Sequence, residues 1–176
     1  MDIVQSVISI LGFIITYLFM RKSFKDELIK QKANIHLDEM SKIPYECLMF
    51  YKRILNEEYE NNVNFLDELE CMYYKIYAYG TKDAIKILSS MGEANYLFEK
   101  DEKLVSPNRL VAFFILLASQ IKYDITGILV PPFFFYQMKI EDCGGDRNEL
   151  SKYIIENNSI IRELNLNKDF LMASSK

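Results

Sequence analysis

One stretch of the chain limits the possible folds more than any other. From Ile3 to Met20 the residues IVQSVISILGFIITYLFM form a run of 18 without a single charged side chain. At 1.5 Å rise per residue such a helix is about 27 Å long, just enough for a hydrocarbon core of about 30 Å. A cleaved signal peptide would carry positive charge before the run and small residues at a cleavage site after it. Here Asp2 precedes the run, while Arg21, Lys22 and Lys25 follow it. The positive-inside rule then predicts a single-pass helix in the cell membrane, its N-terminus outside and the C-terminal domain cytoplasmic, with Tyr17 and Phe19 near the inner interface. A buried soluble helix is the competing reading, disfavoured because so continuous a run is unusual in the core of a small domain. Ser6, Ser9 and Gly12 recur about one turn apart and form a candidate small-residue packing face through which copies could pair into a homo-oligomer. The plainer reading is a marginal span that tolerates Gln5, Thr16 and a few hydroxyls.

No Pro or Gly interrupts the chain between Met20 and Pro44, so the helix is expected to continue as a juxtamembrane stalk with a thin apolar stripe at Phe24, Leu28 and Ile35. Barely two heptads are present, too few for a coiled coil. The expected organisation is residues 1–21 as transmembrane anchor, 22–43 as stalk, 44–168 as a cytoplasmic helical domain and 169–176 as a flexible tail. Within the domain, IPYECLMFYKRIL reads as a short helix after Pro44. Residues 63–79 follow with Leu66, Leu69, Met72, Tyr73, Ile76 and Tyr77 at helical spacing. Gly80 stops that helix, and Thr81 caps the next, which turns Ala84, Ile85, Leu88 and Met91 inward. FEKDEKLVSPN is expected as a loop ending in the strongest helix start in the chain, Ser106 as cap with Pro107 in the first turn. The run from Leu110 to Ala118 is apolar on every face but too short to span a bilayer, and so predicts the central buried helix. Asp146 and Glu149 form a capping box for the last helix, whose inward stripe is Leu150, Tyr153, Ile154, Ile161 and Leu164. With no alternating stretch long enough for a sheet, the fold class is all-α: an N-terminal transmembrane helix followed by a compact bundle of five to six helices.

The charge balance, 21 basic against 25 acidic residues, gives a net charge of -4 and leaves no long basic stripe, so nucleic acid is excluded as the expected partner. Cys47, Cys71 and Cys143 are too scattered for a zinc site or disulfide framework, and Cys47 and Cys71 read as small buried hydrophobes. The only histidine, His36, falls in the stalk, which removes the usual base for serine or cysteine catalysis and the usual metal ligand. Asp67, Glu68 and Glu70 cluster on one helix but read as a solvated acidic face. Phosphate-cradling glycine loops are missing. No catalytic constellation, metal or cofactor is therefore expected.

Two segments stand out, each placing tyrosine and charge near a helix end closed by glycine. Tyr79, Thr81, Lys82 and Asp83 lie in AYGTKDA; Gln120, Lys122, Tyr123 and Asp124 lie in QIKYDITG. Together they form a candidate polar recognition site, or else a capping and hydrogen-bond network that fixes helix orientation. After Pro131 and Pro132, the run Phe133, Phe134, Phe135, Tyr136 is either one short core helix or an exposed aromatic patch marking a partner or membrane surface.

These segments, with the anchor and the proline-started run up to Asp142, resemble a pattern in uncharacterised small single-pass membrane proteins of low-GC Gram-positive bacteria and their mobile elements, although Thr81 stands where that pattern has serine after Tyr-Gly. The resemblance implies a setting and no mechanism. The expected partners are the lipid bilayer and a protein, and the expected function is a membrane-tethered, non-enzymatic interaction or regulatory module at the inner membrane face. The alternative is a membrane-acting effector of a phage-defence or toxin system that works through self-association of its anchor.

Overall fold

The computed structural model describes residues 2–55, 64–101, 103–138 and 147–173, with the side chains of 2–12, 14, 32, 36, 55 and 147–149 outside the description. Among these residues the chain is all-α. Its elements are α1 (Asp2–Met40), α2 (Ile43–Leu55), α3 (Phe65–Tyr79), α4 (Lys82–Lys100), α5 (Pro107–Thr126), α6 (Phe133–Met138), α7 (Arg147–Glu163) and a 3-10 turn, Lys168–Phe170. Two compact units result, Met1–Asp38 and Glu39–Lys176.

The first unit is one helix. The expected change from anchor to stalk at residue 21 leaves no mark on the backbone, because nothing between Gly12 and Pro44 breaks helical geometry. Its described side chains from Phe13 to Asp38 are all exposed, Phe13 at 81% and Phe19 at 69%. Among the described residues no helix is long and apolar enough to cross a membrane. The side chains of residues 2–12 lie outside that statement.

The second unit is a helical bundle around α5. Ala112 through Ala118 are all buried, as expected of a helix that is apolar on every face. α2, α4 and α7 pack on it, and α3 leans on α2 and α4. Ile43, Cys47, Ile76, Ile87 and Met91 fill the core from α2, α3 and α4, joined by Met40 at the end of α1. The helix ends follow local chemistry. Ser106 Oγ accepts from the Asn108 amide at 3.2 Å with Pro107 in the first turn, and Thr81 Oγ1 accepts from the Ala84 amide at 3.4 Å. Gly80 is required by space: a Cβ there would lie 2.3 Å from the Ile76 carbonyl oxygen. At Gly127 the requirement is a left-handed φ of 68°.

Several expectations are corrected. Leu66 and Tyr77 face solvent instead of the core, because α3 presents one narrow face to its neighbours and Phe65 takes the inward place. Cys71 is exposed for the same reason, whereas Cys47 is buried. Phe98 to Lys100, expected in a loop, continue α4. The tail is not loose from residue 169: Phe170 and Met172 are buried, so the domain reaches at least Met172. Asp146 and Cys143 lie outside the described residues, as does the side chain of Glu149.

Candidate functional site

The two segments singled out in the sequence do meet, where α4 begins and α5 ends. Thr81 Oγ1 donates to Asp124 Oδ2 at 2.6 Å, and Gln120 Nε2 donates to Asp124 Oδ1 at 2.8 Å. Gln120 and Asp124 are one turn apart on α5, so both reach the same point, and Thr81 comes to them because Gly80 ends α3 tightly enough to aim the next residue at α5. Gln120 is buried, and its Oε1 accepts no hydrogen bond among the described atoms.

The remaining candidates divide. Tyr123 turns its ring edge-on to Phe170 at 6.1 Å and belongs to the core contact of the C-terminal segment. Lys122 is exposed, and its carbonyl receives the Thr126 hydroxyl at 2.7 Å. Asp83 pairs with Lys86 at 2.7 Å, and Lys86 also donates to the Leu164 carbonyl at 3.4 Å, which ties the start of α4 to the end of α7. Lys82 and Tyr79 lie on the exposed rim. Asp83 is thus paired with Lys86, and Asp124 receives the Thr81 hydroxyl and the Gln120 amide, contacts that orient the helices.

Sequence reasoning missed the strongest charged cluster. Arg109, in the first turn of α5, reaches Glu156 at 3.4 Å and closes a tighter contact with Glu163, both on α7. Glu163 also receives the Ser159 hydroxyl at 2.7 Å. Burial works against the Arg109 charge, but its two carboxylate partners more than reverse that and hold its pKa up. Hydrogen bonds from Arg109 and Ser159 hold the Glu163 carboxyl below its ordinary range. Arg109, Glu156 and Glu163 line a cavity of about 510 Å³ with Ser90, Glu93 and Ser106. Separations of 47 and 54 residues leave no sequence signal for such pairs.

A second cavity, about 310 Å³, lies between α2 and α3. Arg53 crosses it, paired with Glu68 at 2.6 Å and stacked over Phe65 at 4.8 Å. Burial, with the Glu46 charge adding to it, pushes the Cys47 thiol far up, which keeps it a packing group.

The aromatic run is one short helix and splits by face. Tyr136 is fully buried and stacks on Tyr153 at 5.2 Å, Phe133 and Phe135 are half-buried, and Phe134 is 54% exposed. Phe134, with Pro44, Leu48, Val130, Pro131 and Met138, lines an apolar groove of about 160 Å³. The side chains of Ser6 and Ser9, and the environment of Gly12, lie outside the described residues, so their packing face has only its helical backbone. Among the described residues no group of three or more His, Cys, Asp or Glu is placed to hold a metal ion. No family model, curated protein or solved structure matches this chain.

Proposed function

We propose that the protein is a membrane-tethered interaction module: α1 holds it at a bilayer, and the bundle docks a protein partner at the inner membrane face without chemistry of its own. The observation that carries this reading is the exposure of α1. Phe13, Ile15, Leu18, Phe19 and Met20 are all more than half exposed on a continuous helix, directly before Arg21, Lys22 and Lys25. Leaving such residues in water costs about 1.5–3 kcal/mol apiece relative to burial, a penalty that lipid removes. Residues 3–12 add the rest of the uncharged run, and the basic residues after it favour a cytoplasmic bundle. The polar clusters of the bundle are spent on joining helices, which fits a recognition surface better than an active site.

The test compares the full chain with a form lacking residues 1–21. The full chain should sediment with host membranes and resist alkaline extraction, while the shortened form should be released. A full chain recovered in the soluble fraction ends the tether reading. Purified in mild detergent, both forms should retain the same stoichiometric protein partner. A homo-oligomer that disappears with residues 1–21, and no other partner, would instead support the effector alternative, in which anchors carrying Ser6, Ser9 and Gly12 self-associate.

A further inference from the structure

One exposed face of α1 has a period of its own. Phe13, Phe24 and Ile35 are eleven residues apart, as are Tyr17 and Leu28, and Met20 and Gln31. Eleven residues close about three helical turns, so positions at that spacing stay on one face of a straight helix. At about 100° per residue the whole set falls within a sector of about 80°. All of these side chains are exposed, and the first compact unit is this helix alone. Counted in sevens the stalk shows barely two repeats; counted in elevens one row runs from the uncharged segment to Ile35.

Lipid covers only the first part of that row. Phe24 and Leu28 come after Arg21 and Lys22, and Ile35 lies about 22 Å along the axis beyond Met20, where the uncharged run ends. Phe24 is nevertheless 67% exposed and Ile35 57%. A regular apolar row that leaves the bilayer marks a protein contact.

The charges beside the row indicate which protein. Within the first unit Arg21 and Lys25 stand on one side of it and Glu27 and Asp38 on the other, while Lys22, Asp26 and Lys30 fall on the far side of the helix. The sequence keeps the same spacing here, Arg21 repeating as Lys32 and Glu27 as Asp38. When two copies pair in parallel about a two-fold axis, opposite sides of the row meet, so basic faces acidic along both seams. Paired antiparallel, each side would meet its own sign. Gln31, the polar amide in the row, then lies opposite the same residue of the second copy, where two amides can hydrogen-bond and hold the register.

We infer that α1 is a parallel self-association helix: a second copy of this chain covers the row from Phe13 to Ile35, and the pairing continues from the uncharged run into the stalk. The inference rests on the tether reading for one point, that both anchors enter the bilayer from the same side and so run in the same direction.

The test is cysteine cross-linking of the full chain in membranes. In a background of Cys71→Ser with Cys143→Ser, which leaves the buried Cys47, single cysteines are placed along residues 22–35 and oxidised with copper phenanthroline. Dimers of twice the chain mass should peak at Phe24→Cys, Leu28→Cys, Gln31→Cys and Ile35→Cys. Yields should be at least about fivefold lower at Lys22→Cys, Asp26→Cys and Ala33→Cys, because a disulfide needs Cβ atoms about 4 Å apart. No dimer, an even yield along the helix, a maximum on the Lys22 face, or an adduct of another mass overturns the proposal. In mild detergent, Phe24→Lys with Ile35→Lys should weaken dimerisation at least about tenfold in sedimentation equilibrium, since each copy then buries unpaired charge. That variant should still sediment with membranes, and an unchanged dimer overturns the proposal. Glu27→Lys with Asp38→Lys, which makes both sides of the row basic, should weaken the dimer by a smaller factor, about threefold. A chain that is monomeric yet held in the membrane sinks the pairing and keeps the tether. A soluble full chain that still cross-links at the four positions ends the tether and keeps the pairing.

Discussion

Two segments of this chain are apolar on every face, and they end in opposite surroundings. Leu110 to Ala118 lies at the centre of the bundle, Phe113 and Leu116 almost wholly buried, and Ser106 with Pro107 sets where its helix begins. Phe13 to Met20 is helical too, yet its described side chains are exposed. Hydrophobicity does not separate them. What separates them is what surrounds each in sequence. The central helix is flanked by amphipathic helices whose stripes can close around it, whereas Ile3–Met20 is followed by the charged residues 21–32. Among the described residues only the first of these helices is covered by the rest of the chain.

The largest expected effect tests that contrast directly. Leu116→Ala should cost the bundle about 2–5 kcal/mol in urea unfolding, from lost burial and the cavity left behind. Leu18→Ala should change the same measurement by no more than about 0.5 kcal/mol. Equal costs at the two sites would mean that α1 is covered by protein, and the contrast would break. In a membrane-insertion reporter the order should reverse. Leu11→Arg, at the middle of the uncharged run, should cost about 2.5–3.5 kcal/mol in apparent insertion free energy, and an unchanged insertion level would remove the lipid explanation.

Smaller effects sharpen how the bundle is joined. Thr81→Val removes a donor to Asp124 and a helix cap together and should destabilise by about 1–3 kcal/mol in thermal or urea unfolding, while Thr81→Ser should recover most of the loss. A neutral Thr81→Val would make the contact incidental. The smallest effect concerns Glu163, whose folded carboxyl is held below its ordinary range by Arg109 and Ser159. The unfolded chain therefore binds its proton first as pH falls. The contribution is fully present above the ordinary glutamate range and is lost on acidification through the lower folded value. Glu163→Gln should flatten that part of the acid limb in unfolding measured across pH, and should leave the curve above neutrality parallel to the parent's.

Legibility in the sequence followed the range of the interaction. Ser106, Thr81, Gly80 and Gly127 were readable because caps and stops act over two to four residues. The meeting of AYGTKDA with QIKYDITG was foreseen only as an option. Its actual form, a carboxylate held by the Thr81 hydroxyl and the Gln120 amide, depends on how α4 lands on α5. Leu66 and Tyr77 fit a helical stripe as well as Met72 and Ile76 do, and their exposure reflects the narrow face that α3 offers its neighbours. The Phe133 to Tyr136 run could not be divided in advance into core and surface, since four consecutive aromatic residues carry no period. Arg109 with Glu156 and Glu163, and the contacts of Asn157 and Asn158 to the backbone of Phe170 and Met172, were invisible for a related reason: polar residues in helices read as solvent-facing until the opposing element is known.

By itself, then, the sequence determined the helical class, the uncharged first run with basic residues behind it, the centrality of Leu110 to Ala118 and most helix ends. Each of these follows from periodicity, charge or capping within a few neighbouring residues. The tertiary structure alone decided which face of α3 is buried, which carboxylates find Arg109 and that Phe170 and Met172 close the core, because those outcomes depend on the crossing of helices whose contacting residues lie tens of positions apart.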